Sequence, residues 1–318
     1  MKTQNKLTNM KFDVIIVGAG AAGLTAAIYT CRKGLKTAVI SIDVGGQTVL
    51  SSHIENYPAF VGPGYELITK FKEQALSFGA KIINGKVVGI VKGEPFKVEL
   101  SDKTTYEADT LILAYGKIPK TLGIPGEDTY MGKGVHTCAT CDAPLYKGKT
   151  VAVVGGGNSA LDSALMLSGI AKKVYLIHRR DSFRGDQILA EKLKQKKNME
   201  LVLNHIPVEI KGDKFVKSLT VESTGKQKEL AVDGIFLEIG YEVRADFLNN
   251  LVKLNGKGEI ITDKNCDTSC KGVFAAGDVT DIQYKQVVIA AGEGAKAALS
   301  AYAFLKGHEY PAIDWGHK

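Results

Sequence analysis

The stretch that decides the fold runs from Cys138 to Arg184 and reads CATCDAPLYKGKTVAVVGGGNSALDSALMLSGIAKKVYLIHRRDSFR. It opens with a Cys-x-x-Cys motif, which can cycle between a dithiol and a disulfide. A strand-like run, Val151–Val154, leads into the glycine-rich turn Gly155-x-Gly157-x-x-Ala160, which opens a helix. Such a turn exposes backbone N–H groups beside the positive end of a helix, so it predicts a pyrophosphate site.

A basic cluster follows the next predicted strand, Lys173–Ile177. The segment HRR at 178–180 ends that strand, and Arg184 comes shortly afterwards. Guanidinium groups pair bidentately with phosphate, so the cluster favours the 2′-phosphate of NADPH over NADH. The alternative is a solvated basic loop, because Asp181 and Asp186 could pair with the arginines.

A nicotinamide nucleotide beside a redox disulfide needs a relay, because hydride delivers two electrons at carbon and a disulfide accepts them at sulfur. A flavin is the usual relay, which predicts a second dinucleotide site. The apolar run Phe12–Val17 ends directly in GAGAAG at 18–23, a helical pattern continues to Arg32, and Thr37–Ser41 reads as a strand. Strand, GxGxxG, helix and strand within about thirty residues are what a dinucleotide-binding unit requires.

The rest of the chain gives coarser signals. The remaining predicted features are an amphipathic helix at 64–79, short strands within 81–114, a hinge or linker at 123–126, strand-rich segments at 201–239, a second hinge at 240–241, a strand ending in Gly277-Asp278 and a final helix at 286–305. Glycine and proline interrupt both regular structures, which is why they mark the two expected hinges.

Composition indicates a soluble globular protein of two domains, with 318 residues, 45% hydrophobic and 24% charged. The amino-terminal segment MKTQNKLTNM lacks the apolar core of a signal peptide, and no apolar run approaches the roughly twenty residues that a membrane span needs. We therefore expect a cytoplasmic protein.

The basic run Lys192–Lys197 reads as the solvated face of a helix, since no aromatic residues interleave for stacking on nucleic acid. It could still help to dock an acidic protein partner.

The cysteines leave alternatives open. A zinc site could use Cys138, Cys141, Cys266 and Cys270, although the first pair lies between two nucleotide motifs. Cys31 and the second pair are more simply buried thiols. A flavoprotein of the ferredoxin–NADP reductase or NADPH oxidase type would need no dithiol, and a nucleotide-binding regulatory module would need no catalysis.

From about Phe12 to about Phe304 the chain resembles the low-molecular-weight thioredoxin reductases, which are FAD- and NADPH-dependent flavoproteins. The most specific motif is CATCD at 138–142, just before the second glycine turn, and Gly277-Asp278 is also characteristic. The resemblance implies an α/β fold with two Rossmann-like dinucleotide-binding domains. It places an NADPH domain at 122–246 inside a discontinuous FAD domain formed by 1–121 and 247–318.

The resemblance also implies roles for individual residues. Cys138 and Cys141 would form the redox disulfide, with Cys141 nearest the flavin and Asp142 as the acid. The expected FAD residues are Gly18, Gly20, Ala21, Ala22, Gly23, Gly45, Gly46, Gln47, Asn56, Gly277, Asp278, Lys285 and Gln286. The expected NADPH residues are Gly155, Gly157, Asn158, Ser159, Ala160, His178, Arg179, Arg180 and Arg184. The implied protein is a homodimer that reduces thioredoxin or a glutaredoxin-like protein disulfide oxidoreductase, with no nucleic acid, membrane or metal involved.

Overall fold

The structure is a computed structural model that describes residues 10–51 and 53–307. Its helices are α1 (Ala21–Arg32), α2 (Gly64–Ser77), α3 (Glu127–Tyr130), α4 (Ala139–Asp142), α5 (Asn158–Ser168), α6 (Gln187–Lys194) and α7 (Val287–Lys306). Its strands are β1 (Lys11–Val17), β2 (Thr37–Ser41), β3 (Ile54–Tyr57), β4 (Phe60–Gly62), β5 (Lys81–Asn84), β6 (Val87–Val91), β7 (Phe96–Leu100), β8 (Thr105–Leu113), β9 (Ile118–Pro119), β10 (Val135–His136), β11 (Thr150–Gly155), β12 (Lys173–His178), β13 (Met199–Leu203), β14 (Ile206–Gly212), β15 (Val216–Ser223), β16 (Lys226–Ala231), β17 (Gly234–Glu238), β18 (Tyr241–Glu242) and β19 (Val273–Ala275). Short 3-10 helices lie at Gly46–Leu50, Ala143–Tyr146, Asp246–Leu248 and Gly277–Val279.

The chain divides into two compact units. The first unit contains the described residues up to Ile118 and those from Glu242 onward, and the second unit is Pro119–Tyr241. Both divisions fall slightly before the boundaries expected at 121/122 and 246/247. The segment 123–126, which we expected to be a hinge or linker, belongs wholly to the second unit. There the Glu127 carboxylate accepts hydrogen bonds from the backbone N–H groups of Leu122 and Gly123, at 2.9 and 2.7 Å.

The first unit is built on a sheet with the strand order β5-β2-β1-β8-β7-β6. Strand β1 runs parallel to both β2 and β8, while β7 and β6 extend the sheet antiparallel. Strand β19 pairs in parallel with the last part of β8, so both ends of the described chain contribute to one sheet. Val14, Ile15 and Ile16 are fully buried. A continuous apolar run is typical of a strand covered on both faces.

Helix α7 has 20 residues and is apolar enough, by length and composition alone, to cross a membrane. Our expectation that no run approached that length was therefore wrong. The helix nevertheless has a buried face of small residues, which includes Gly294, Ala297 and Ala301. A Cβ atom at Gly294 would overlap the backbone of Ala22 in α1. The helix is therefore part of the core of the first unit, because its small residues let the two helix backbones approach closely.

The second unit contains a parallel sheet with the order β10-β17-β11-β12-β13 and an antiparallel sheet of β14, β15 and β16. Strand β11, the glycine turn, α5 and β12 form the unit that the sequence predicts, although α5 ends at Ser168 instead of about residue 170. Val151, Ala152 and Val153 are fully buried in β11. Both units thus contain a strand, a glycine turn, a helix and a parallel strand, and the predicted α/β fold with one Rossmann-like unit inserted into another is confirmed.

Candidate redox and nucleotide sites

A disulfide joins Cys138 and Cys141 across the single turn of α4, with their Cα atoms 5.4 Å apart. Cys138 caps this turn, and its sulfur accepts the backbone N–H of Cys141 at 3.2 Å. Residues three apart lie on the same side of a helical turn, so α4 places the two sulfurs together. Cys141 is exposed and Cys138 is half-buried. The bond is therefore open to solvent on one side.

Asp142 follows the disulfide directly and is anchored at both its backbone and its side chain. Its backbone N–H donates to the carbonyl of Cys138 at 3.2 Å. One carboxylate oxygen, Oδ2, lies 2.8 Å from Nδ1 of His136, while the side chain keeps 32% exposure. Nε2 of the same imidazole lies 2.7 Å from the hydroxyl of Tyr146. The acid beside the disulfide is thus the end of a buried hydrogen-bonded chain.

Sequence reasoning missed His136 and Tyr146. They lie in β10 and in the 3-10 helix after α4, on either side of the disulfide in sequence. Neither residue belongs to a recognisable motif, and the three side chains come from three different elements. Only the folded chain brings them together.

The second glycine turn forms an open cradle at the start of α5. A Cβ atom at Gly156 would overlap the ring of His178, whereas one at Gly157 would have no atom within 4 Å. Gly157 is the N-cap of α5 and no side chain caps that end. The backbone N–H of Arg184 donates to the carbonyl of Gly156 at 2.7 Å, which ties the basic loop to the turn. Asn158 is held by Asp186, to whose backbone and carboxylate it bonds.

The three arginines of the basic loop are exposed. Within residues 10–51 and 53–307, no carboxylate lies within ion-pair distance of Arg179, Arg180 or Arg184. The two nearby aspartates instead bond to other partners, Asp181 to a serine hydroxyl and Asp186 to an asparagine amide. The alternative of a self-neutralised basic loop is therefore not what the structure contains.

His178 at the end of β12 is buried, and no hydrogen-bond partner for its Nε2 lies among residues 10–51 and 53–307. Burial lowers its pKa, the Ser182 backbone opposes this, and the three neighbouring arginines lower it further. Buried imidazole nitrogens normally have a partner, so the orphaned nitrogen marks a place where a ligand would fit. The open turn at Gly157 and the three exposed arginines also fit a phosphorylated nucleotide, because backbone N–H groups at a helix N-terminus and guanidinium groups both bind phosphate.

The first glycine turn has the same design in the first unit. Gly18 has φ of +106°, and a Cβ there would overlap the backbone of Ala114, so only glycine fits. Gly20 is the N-cap of α1 without a side-chain cap, and a Cβ there would meet no atom within 4 Å. Gly45 donates its N–H to the carbonyl of Ala19 at 2.8 Å, and Gly277 packs against Ala22. The structure thus brings the predicted glycines together around an open helix N-terminus that fits a dinucleotide phosphate.

The other residues predicted for FAD form pairs in the first unit. The Gln47 amide donates to the carbonyl of Lys117 at 2.9 Å, and the Asn56 amide donates to Gln286 at 3.1 Å. Lys285 donates to the backbone carbonyls of Asp278 and Thr280. Burial raises the pKa of Asp278, and the charge of Lys285 opposes that shift.

A buried charge cluster beside Asp278 was not predicted. Glu259 is 6% exposed and lies 2.6 Å from Lys117 and 3.4 Å from Lys285. Burial by itself would raise the pKa of Glu259, but hydrogen bonds from Lys117 and Asn255 and the charges of Lys285 and Lys117 lower it to about 2. The cluster supplies a fixed positive charge next to Asp278. Lys117 and Glu259 are too far apart in sequence for any spacing rule to reveal it.

The remaining cysteines lie in the first unit. Cys266 and Cys270 are buried, and Cys31 is half-buried. Burial raises the pKa of Cys266 to about 12, and the charge of Lys296 opposes that shift. A thiol in such surroundings is a poor nucleophile. Two of the four cysteines of the zinc hypothesis are joined in the disulfide, so they do not offer thiolate ligands here.

Comparison with known proteins agrees with this geometry. Residues 12–294 match the family model described as pyridine nucleotide-disulphide oxidoreductase. The chain is 42% identical to a thioredoxin reductase of Helicobacter pylori over 93% of this chain and 99% of that protein. It is 40% identical to an alkyl hydroperoxide reductase protein of Pseudomonas putida, over 95% of this chain and 59% of that longer protein. The crystal structure of Lactococcus lactis thioredoxin reductase superposes with a TM-score of 0.81 at 36% identity, covering 93% of this chain and 99% of that one. The chain therefore belongs to the pyridine nucleotide-disulphide oxidoreductases and, among them, to the thioredoxin reductase family.

Proposed function

We propose that this protein is an NADPH-dependent thioredoxin-disulfide reductase. Electrons would pass from NADPH through FAD and the Cys138–Cys141 disulfide to a disulfide of thioredoxin or a glutaredoxin-like protein. One observation carries the proposal. A solvent-open disulfide, followed directly by Asp142, lies in the same unit as a glycine turn and three exposed arginines.

Family membership implies a flavin and a pyridine nucleotide, and the geometry supports assigning each to one unit. In the second unit, the residues that would hold NADPH are Gly155, Gly157, Asn158, Ser159, Ala160, His178, Arg179, Arg180 and Arg184. In the first unit, the residues that would hold FAD are Gly18, Gly20, Ala21, Ala22, Gly23, Gly45, Gly46, Gln47, Asn56, Gly277, Asp278, Lys285 and Gln286. When bound, the flavin supplies the relay between hydride and disulfide chemistry.

The chain's own residues account for the proton and sulfur steps. Opening the Cys138–Cys141 bond takes two electrons and leaves one thiolate and one thiol once a single proton has been added. Asp142 is placed to give that proton and to take it back. The thiolate would then attack the partner's disulfide, and the second sulfur would displace the partner as a dithiol. This regenerates the Cys138–Cys141 disulfide. Because Asp142 takes back the thiol proton, the two sulfurs of the partner take their protons from solvent, and atoms, charges and electrons then balance over the cycle.

Two further assignments belong to the proposal. We place the FAD domain in the first unit and the NADPH domain in the second. By resemblance to the family, we also propose a homodimer that works in the cytoplasm, where the reducing environment suits a protein whose product is a dithiol.

The cysteines give the decisive test. One sulfur cannot form the intramolecular disulfide, so Cys138→Ser and Cys141→Ser should each abolish NADPH oxidation coupled to a carrier-protein disulfide. Wild type and both variants should purify yellow and bleach anaerobically with NADPH, because neither glycine turn is altered. Stopped-flow absorbance measures the bleaching by NADPH, and a steady-state assay separately measures reduction of the carrier disulfide.

Cys31→Ser serves as the matched control, since it removes a half-buried thiol of the first unit and should keep full turnover. The carrier panel should contain thioredoxin, a glutaredoxin-like protein and a peroxiredoxin-linked carrier. If Cys138→Ser or Cys141→Ser still reduced the carrier at the full rate, electrons could not pass through the Cys138–Cys141 dithiol. That result would favour a flavoprotein of the ferredoxin–NADP reductase or NADPH oxidase type.

A further inference from the structure

Asp142, His136 and Tyr146 form one hydrogen-bonded cluster, and the proposed function gives a role only to Asp142. The His136 ring is 8% exposed and stacks on Phe236, with centroids 5.3 Å apart and planes 26° from parallel. Tyr146 meets both rings edge-on. Each imidazole nitrogen nevertheless has a side-chain partner, one a carboxylate and the other a phenol. The carboxylate partner connects the buried ring to the residue that follows the disulfide.

The chemistry of the partners fixes how the imidazole is protonated. An ionised carboxylate can only accept, so Nδ1 of His136 carries a hydrogen whenever Asp142 is ionised. The hydroxyl of Tyr146 can donate to a neutral Nε2, or rotate and accept from a protonated one. His136 can therefore gain or lose a proton while both hydrogen bonds persist.

The surroundings keep Tyr146 in its neutral form. Burial raises its pKa, and the negative charges of Asp142 and Asp233 raise it further. The ammonium of Lys149 lies 5.3 Å from the centroid of the same ring. Among the described residues, the titratable and charged groups around the imidazole are Asp142, Tyr146 and, beyond the phenol, Asp233 and Lys149. On β17, which pairs with β10, the Glu238 carboxylate accepts the hydroxyl of Ser163 and the backbone N–H of Ala139.

We propose that His136 is a positioning residue that holds Asp142 and exchanges protons with it as the Cys138–Cys141 disulfide opens and closes. The inference rests on the proposed function and names the proton carrier for that site. On opening, the S–S bond breaks, two electrons enter, and one sulfur takes a proton from Asp142. Nδ1 of protonated His136 then passes its hydrogen to the carboxylate, which leaves Asp142 protonated and His136 neutral, with its remaining hydrogen on Nε2 towards Tyr146. On closing, the thiol proton returns to the same pair as the partner's disulfide is reduced.

The test uses the holoenzyme and two substitutions. His136→Gln keeps a side-chain N–H donor for Asp142 but cannot titrate. Tyr146→Phe keeps the aromatic packing but removes the hydroxyl that bonds Nε2. His205→Gln is the matched control, because this histidine is half-buried in the same unit and bonds only a backbone carbonyl, at 2.6 Å.

The first readout needs no turnover. Each protein is reduced with dithiothreitol, freed of reductant anaerobically, and alkylated with monobromobimane at pH values from about 5 to 9, a range that spans the histidine pKa. Mass spectrometry follows labelling of Cys138 and Cys141. We expect the wild type and His205→Gln to show an ionisation step near the histidine range in the rate of thiol labelling, and His136→Gln to lack it. Tyr146→Phe should shift the step.

The second readout is the rate of carrier reduction. His136→Gln should slow it by at least about tenfold and remove one ionisation from its pH profile, since proton transfer by a positioned group contributes about 10²–10⁴-fold. Identical labelling profiles in wild type and His136→Gln, with carrier rates within about twofold, would overturn the proposal. If His136→Gln does not fold, an unshifted labelling step in Tyr146→Phe overturns it instead. Failure of the wild type to reduce any carrier would count against the proposed function, whereas the labelling result judges the role of His136 alone.

Discussion

Three guanidinium groups would decide which nucleotide this enzyme prefers. Arg179, Arg180 and Arg184 are exposed and have no carboxylate partner within the described residues. Each charge-assisted bond to a 2′-phosphate contributes about 1.5–3 kcal/mol. Because the basic loop is tied by a backbone bond to Gly156, the guanidinium groups can vary without disturbing the glycine turn.

Replacing all three arginines by alanine should raise the KM for NADPH at least about tenfold, which corresponds to about 1.4 kcal/mol. The KM for NADH should stay nearly unchanged, because NADH has no 2′-phosphate. Arg32→Ala is the control, since this arginine lies at the end of α1 and stacks on Tyr29. Steady-state kinetics with both nucleotides measures the effect. A wild-type preference for NADH would show that the cluster is only a basic loop.

At the scale of elements, the contact between α1 and α7 holds the first glycine turn in place. Helix α7 presents small buried residues to α1, and its buried Glu293 accepts the backbone N–H of Gly277 at 3.1 Å. The same helix therefore packs against the helix after the turn and fixes the loop that carries Asp278. Close packing of backbones requires glycine or alanine at the contact.

Two glycines of α7 make a matched pair for testing this contact. Gly294→Ala would place a methyl group against the Ala22 carbonyl, whereas Gly292 is exposed and a methyl group there meets nothing within 4 Å. Overpacking costs about 1–3 kcal/mol, so Gly294→Ala should lower the unfolding free energy despite alanine's better helix propensity. Gly292→Ala should raise it by about 0.4–1 kcal/mol. Urea unfolding followed by circular dichroism compares them, and equal stabilities would show that α7 does not pack tightly on α1.

At the scale of the whole molecule, the two units differ in chain continuity. The second unit is one continuous segment, Pro119–Tyr241, with buried residues such as Leu161, Leu167 and Phe236 in a core of its own. The first unit needs both ends of the chain, because β19 pairs with β8 and α7 packs on α1. A continuous domain with its own core can fold alone.

We therefore expect the fragment 119–241 to fold by itself, to unfold cooperatively on heating and to form the Cys138–Cys141 disulfide. The fragment 1–118 should not fold, because it would expose the surfaces that β19 and α7 cover. Circular dichroism, thermal melting and a thiol count on the purified fragments measure this. A non-cooperative fragment 119–241 or a stably folded fragment 1–118 would contradict the division into two units.

The sequence by itself determined the features that depend on neighbouring residues. The apolar runs before both glycine turns predict β1 and β11, and the turns themselves predict α1 and α5, because glycine chemistry and helix periodicity act over a few residues. The Cys-x-x-Cys spacing likewise points to the disulfide, since one helical turn suffices to join the two sulfurs. With the family resemblance, these local signals also predicted the α/β fold and the insertion of one unit in the other.

Only the tertiary structure decided the contacts between residues distant in sequence. The bond from His136 to Asp142 joins β10 to the end of α4, and the Lys117–Glu259 pair joins the two chain segments that form the first unit. Segment 123–126 looked like a linker because glycine and proline cluster there, yet Glu127 binds its backbone within the second unit. Long-range contacts of this kind depend on how elements pack and have no periodicity in the sequence. That is why the family resemblance could point to Asp142 beside the disulfide, whereas its hydrogen bond to His136 could not be predicted.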